Sequence, residues 1–253
     1  MKYSPVTSII IFLLLLTSVG HAVDFENLML SGNKHYEQGE FNLAIKDYEK
    51  VLLADGVSAA LHYNLGCAYF NQKSYGKSIL HFEKAKQLDP RDADIQHNLE
   101  FSKLFLKDRF DLPEPMPLVA WFTATRESLA LVELRFIEMV LFVLLGISIV
   151  AYRLLRDRAI GKSILMLAYL LGVMFVLSAG WLWDRTLSSE ENHVVLLVHE
   201  ANISSAPIPG SSTLFVIHEG TSAEILDATD TWYEIRLPDG KTGWIMHEAV
   251  GKY

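Results

Sequence analysis

The chain has 253 residues, 51% of them apolar, with a mean hydropathy of +0.22 and a net charge of −8; a single water-soluble domain carries less apolar residue than this. One cysteine, Cys67, excludes an intramolecular disulfide and a thiolate zinc cluster. Between Thr186 and Tyr253 there are 3 basic and 10 acidic side chains, against 11 and 13 between Val23 and Phe110, so the basic footprint of a nucleic-acid binder is missing.

Residues 1–22 read as a secretory signal peptide. Lys2 precedes the apolar run Ile9 to Leu16, and Gly20 and Ala22 supply small residues at the −3 and −1 places. The run is too short to cross a bilayer, and both cleavage after Ala22 and retention as an anchor fit it.

Gly32 and Gly66 are 34 residues apart, and Ala44 and Tyr48 recur in step as Ser78 and Phe82. A 34-residue period with small and aromatic residues at fixed places resembles the tetratricopeptide repeat (TPR). The expected domain covers 23–110, with repeats at about 25–58 and 59–92. Each has a helix pair, Asp24 to Gln38 with Phe41 to Ala54, then Ala59 to Gln72 with Tyr75 to Leu88. A capping helix is expected over about 91–109, where His97-Asn98-Leu99 echoes Tyr63-Asn64-Leu65 and Glu100 replaces the next glycine. A solenoid of this kind offers a concave surface and carries no chemistry of its own.

The resemblance implies a groove lined by Met29, Asn33, Tyr36 and Glu37, then Tyr63, Asn64, Cys67, Phe70 and Asn71. Asn33 and Asn64 coincide with the asparagines of carboxylate-clamp repeats, but Met29, Asp94 and Asn98 stand where that clamp has basic residues. A neutral-to-apolar groove for a peptide or partner helix is therefore expected. That the aromatics only pack against the capping helix is the other reading.

Asp111 to Pro117 (DLPEPMP) cannot continue a helix, because each proline fixes φ and removes a donor; residues 111–128 read as a stiff linker ending at an interface. Two apolar stretches, 129–152 and 160–183, are each long enough to cross a hydrocarbon core of about 30 Å. Arg153, Arg156, Arg158 and Lys162 around the connection at 153–159 place it in the cytoplasm by the positive-inside rule, leaving both flanks outside. Trp121, Trp181 and Trp183 suit an aromatic belt, and Ala168 and Gly172 are spaced for close helix packing. Glu138 lies inside the first span, three residues after Arg135, where an interfacial ion pair is expected.

From His193 to Tyr253 short β-rich runs alternate with turn signals, and Pro238-Asp239-Gly240 reads as a hairpin. The order Ser204-Ser205-Ala206-Pro207, His218-Glu219-Gly220, Trp232-Tyr233-Glu234-Ile235-Arg236 and Asp239-Gly240-Lys241-Thr242-Gly243-Trp244 is similar to bacterial SH3 (SH3b) domains. That resemblance implies a small closed β-barrel over 193–253. Its members often bind cell-wall peptides, although Ser204 or Ser205 stands where their usual arginine would be. Phe215 and Tyr233 are the expected exposed aromatics. Trp232 and Trp244 are candidates for either the core or a ligand platform.

Signal peptide, TPR pair with a cap, linker, two spans and SH3b in this order resemble the BatE family of bacterial aerotolerance (Bat) operons, carried by Tyr63-Asn64-Leu65-Gly66, Phe215 to Gly220 and Trp232 to Leu237. The expected fold is multi-domain α plus β: an α-solenoid, a two-helix membrane hairpin and an SH3-like barrel. The resemblance implies a context of aerotolerance and envelope stress. Two interaction modules on one face of the membrane with no catalytic constellation between them point to a non-enzymatic inner-membrane scaffold with both modules periplasmic. Its implied partners are envelope proteins, chiefly other Bat-operon membrane proteins with von Willebrand A domains. A peptidoglycan-binding wall sensor is the alternative. No catalytic constellation, metal site or cofactor motif is found among the nine histidines and single cysteine.

Overall fold

The computed structural model describes residues 25–110 apart from 55, isolated positions between 116 and 129, 131–188 and 192–253, with the side chains of 131 and 184–188 left out. The expected signal peptide at 1–22, the prolines within 111–115 and Trp121 lie outside the described residues. The chain forms two units: residues up to 111 together with 193–253, and residues 112–192.

The first unit opens with α1 (residues 25–37), α2 (Phe41–Leu53), α3 (Ala59–Asn71), α4 (Tyr75–Leu88) and α5 (Ala93–Lys103). The 34-residue period has a steric cause. A Cβ on Gly32 would lie 2.4 Å from the Tyr48 ring, and one on Gly66 would lie 2.7 Å from the Phe82 ring. Each glycine thus lets an aromatic of the next helix seat against bare backbone. Ala44 and Ser78 are fully enclosed one helix later, and the Ser78 hydroxyl donates to the Gly66 carbonyl at 2.8 Å, so its burial leaves no unmade hydrogen bond. The period extends to the turns, where Gly39 and Lys73, also 34 apart, both hold φ in the left-handed region, at +75° and +63°. Ser58 caps α3 through Leu61 N–H, and Asp92 caps α5 through Asp94 and Ile95 N–H. Ile45, Tyr48 and Val51 of α2 close on Leu61, Leu65 and Tyr69 of α3 in one core.

The capping helix stops at Lys103, short of the expected Arg109. Its continuation is drawn off the helix axis by the strands: Leu106 packs in the cluster of Ile79, Leu80 and Val195, and Phe110 reaches the core of the sheet.

Seven antiparallel strands follow: β1 (His193–Leu196), β2 (Glu200–Ser204), β3 (Thr213–His218), β4 (Ser222–Ala228), β5 (Trp232–Arg236), β6 (Thr242–Met246) and β7 (Val250–Lys252). The β5–β6 turn is the expected hairpin, with Gly240 at φ +87° and Leu237 N–H donating to the Lys241 carbonyl. Val194, Leu196, Ile203, Ile217, Ile235 and Ile245 point into one core.

The expected closed barrel is instead an open sheet in the order β3-β2-β6-β5-β4-β1-β7, with β3 and β7 as its ends. At the β7 end, α4 packs on β1 and β7. Leu80 sits against Gly251, and Val195 shares a core with Ile79, Leu80, Phe82 and Leu99. Val194 and Leu196 face the sheet's core and Val195 faces the helices, so α4 covers the outer face of the sheet.

The second unit holds two long helices, Leu131–Leu155 and Gly161–Ser188. Within them Val132–Leu155 and Gly161–Trp183, of 24 and 23 residues, are long and apolar enough to cross a membrane. They pack through Phe142 on Phe175, with ring centroids 5.9 Å apart, and through the enclosed Leu134, Leu141, Ser148 and Ala168. Gly172 permits only an ordinary contact, 4.0 Å from Leu145. The expected Arg135–Glu138 ion pair is not made: Glu138 turns Oε2 to an enclosed position with no hydrogen-bond partner, while Arg135 is exposed.

Candidate partner-binding groove

The residues expected to line the groove come from α1 and α3, and hydrogen bonds join most of them. Asn33 Oδ1 accepts from Tyr48 Oη at 2.8 Å and from Asn64 Nδ2 at 3.1 Å. Asn71 Nδ2 donates to Tyr36 Oη at 3.0 Å and to the Cys67 carbonyl at 2.9 Å. Asn98 of α5 donates to Tyr63 Oη at 3.0 Å, extending the amide row across a third helix. The two asparagines of the clamp pattern are thus bonded to each other.

Parts of the expected lining also serve as core. Met29 and Tyr36 pack against the first repeat's cluster, and Tyr63 and Cys67 against the second's. Burial pushes the Tyr63 hydroxyl up to about 12 and the Cys67 thiol up to about 11, so both are neutral at physiological pH. Phe70 is taken up by the cap: its ring meets Phe101 at 5.5 Å, Phe105 at 5.2 Å and Tyr75 at 5.6 Å. For Phe70 the packing reading is the one observed. What remains open is an amide surface of Asn33, Asn64, Asn71 and Asn98 with phenol edges, flanked by the exposed carboxylates Glu37 and Asp94.

On the sheet, Trp232 is enclosed and Trp244 half-buried. The aromatics expected to be exposed are engaged. Phe215 packs on the sheet's core beneath Lys241, and Tyr233 stacks on His247 at 3.7 Å with Lys252 over its ring. The four candidates do not form one platform.

Sequence reasoning missed the seam between helices and sheet. Ser74 at the start of α4 makes no side-chain cap; Glu219 Oε1, 143 residues away, accepts the Gly76 N–H at 2.9 Å instead. Asp108 accepts from the His218 N–H, the His218 ring Nδ1 and the Thr221 hydroxyl, each at 2.7 Å. The carboxylate fixes Nδ1 as the protonated ring nitrogen, leaving Nε2 to accept from Lys107 Nζ at 2.7 Å. Burial pushes the Asp108 carboxyl up, but the Thr221 and His218 donors outweigh it and hold it below 3.8. The available signal was His218-Glu219-Gly220, two ionisable residues before a glycine in an otherwise apolar strand end.

Comparison with known families agrees with the helical geometry. Residues 59–92 match the model for the tetratricopeptide repeat and residues 32–73 match a TPR repeat model. No curated protein matches the chain. The chain contains TPR repeats, the architecture of a protein-interaction surface.

Proposed function

We propose that the chain is a membrane-anchored, non-enzymatic scaffold whose TPR groove holds a segment of another envelope protein. The observation that carries this reading is the shared core of Ile79, Leu80 and Val195, lined by Tyr253. Its members come from both sides of the apolar hairpin in sequence, which supports a reading with the two soluble segments on one side of the membrane. Two crossings satisfy that reading, whereas a single crossing would part the two segments.

The apolar helices support the anchoring. Val132, Leu154 and Met166 are each at least 75% exposed, a surface suited to lipid and costly in water. Arg153, Arg156, Arg158 and Lys162 favour a cytoplasmic connection and a periplasmic groove. The uncharged amide row suits a peptide backbone or a neutral helix face more than a charged tail. The domain order, with an SH3b-like sheet, supports placing this scaffold among BatE-like proteins beside membrane-anchored von Willebrand A partners.

A photo-crosslinking residue at Tyr36 in the full-length chain in cells should capture a membrane protein. Failure to form any specific adduct would sink the scaffold reading. A reporter fused after Tyr253 should be active only outside the cytoplasm; cytoplasmic activity would overturn the topology.

A further inference from the structure

Between α3 and α4, away from the groove, two histidines face each other. His62 Nδ1 lies 3.0 Å from His81 Nδ1, and the rings stack with centroids 5.2 Å apart. Two Nδ1 atoms at this distance share one proton: one ring donates and the other accepts. His62 is only 4% exposed, and Tyr69 stacks on the other side of His81 at 5.4 Å. The charged groups around the pair do not favour a second proton. On α4 they are Lys77, lying over the Tyr69 ring, and Lys84, which opposes a charge on either histidine. From α2 the nearby carboxylate is Glu49, and it is engaged by the Tyr69 hydroxyl at 2.6 Å.

We propose that the His62–His81 pair makes the second repeat an acid-released element, in which proton uptake parts α3 from α4 and withdraws the groove face of α3. The consequence for binding rests on the scaffold reading; the opening itself does not. When both rings are charged their hydrogen bond has no acceptor, and two cations sit in contact beside Lys84. Tyr63, Asn64, Cys67 and Asn71 belong to the same helix as His62, so a displaced α3 carries the amide row with it.

The sign follows from linkage. Burial holds His62 down at about 4 and His81 at about 3, against 6.5 for a free imidazole. The closed form is therefore fully favoured above pH 6.5 and loses ground as pH falls towards those values. Each histidine that must take up a proton on opening multiplies the open population about tenfold per pH unit in that window.

Hydrogen–deuterium exchange on the full-length chain in detergent, without any partner, tests this between pH 7 and pH 4. After correction for intrinsic exchange, amides of α3 and α4 should lose protection together, by about a hundredfold or more at pH 4.5, while β5 and β6 keep theirs. Uniform protection down to pH 4 would overturn the proposal. So would the same loss in the His62→Phe/His81→Gln double variant. Should that variant fail to fold, imidazole NMR titration of the wild type decides: both rings titrating above pH 6 refutes the switch, and both below pH 5 supports it. The exchange result stands whatever the Tyr36 crosslinking shows.

Discussion

The carboxylate of Glu219 caps the α4 helix at the Gly76 N–H, 2.9 Å away, and a Cβ on Gly76 would lie 2.4 Å from the Leu196 carbonyl oxygen. Helix and strand therefore meet backbone to backbone, with a side chain from the sheet supplying the cap that Ser74 does not. Gly76→Ala should force β1 off α4 and destabilise the first unit by about 1–3 kcal/mol. Glu219→Ala should cost about 1 kcal/mol, the usual loss of a cap, and Glu219→Gln less. Urea unfolding of the full-length variants measures this; an unchanged midpoint for Gly76→Ala would show that the close approach is not made.

Asp108 binds the same seam through three donors, and its replacement leaves the His218 and Thr221 donors enclosed without an acceptor. Asp108→Ala should cost about 2–3 kcal/mol and Thr221→Val about 1 kcal/mol. Because the folded Asp108 carboxyl is held below 3.8, its contribution is complete above that pH and is lost only as pH falls through the lower folded value. The histidine pair weakens from pH 6.5 downward. Acid should thus open α3 and α4 before it releases the sheet from the helices, an order readable by exchange at single-residue resolution. Release of β1 from α4 above pH 5 would contradict it.

The repeats were legible because their cause is local and periodic: Gly32 and Gly66 must be small where Tyr48 and Phe82 seat, and the same demand returns 34 residues later. The Pro238-Asp239-Gly240 hairpin was legible for the same reason. The seam was not, because Gly76 and Glu219 are far apart in the chain and their contact obeys no period. The open sheet was hidden for a related reason. Strand count and turn chemistry suit a barrel, and whether β3 and β7, the two ends of the sheet, pair is set by residues far apart in the chain. In the groove, Asn33, Asn64 and Asn71 came from the resemblance to TPR repeats, whereas the loss of Phe70 to Phe101 and Phe105 required knowing where the cap helix ends.

Lys73 occupies the turn position that Gly39 holds in the first repeat, at φ +63° and exposed. A side chain there costs about 1 kcal/mol that glycine avoids. Lys73→Gly should therefore raise stability by several tenths of a kcal/mol, and Gly39→Ala should lower it by about 1 kcal/mol. Thermal unfolding compares the two directly. A destabilised Lys73→Gly would mean that the lysine side chain makes a compensating contact.

Cys67 bears on whether the chain senses oxidants directly. The thiolate is the reactive form, and burial raises the thiol from 9.0 to about 11, with the Tyr63 hydroxyl opposing only in part, so the thiolate population falls about a hundredfold at neutral pH. The thiol also packs beside Ile79, Leu80 and Leu99, where an incoming oxidant or disulfide reagent must displace core side chains. Labelling by a thiol reagent at pH 7.5 should be at least a hundredfold slower in the folded chain than in urea, and Cys67→Ala should leave Tyr36 crosslinking intact. Rapid labelling of the folded chain, or loss of crosslinking in Cys67→Ala at undiminished stability, would instead assign the thiol a direct role. Slow labelling with intact crosslinking places partner recognition on the amide row of Asn33, Asn64, Asn71 and Asn98, whose donors and acceptors do not depend on the redox state of the chain.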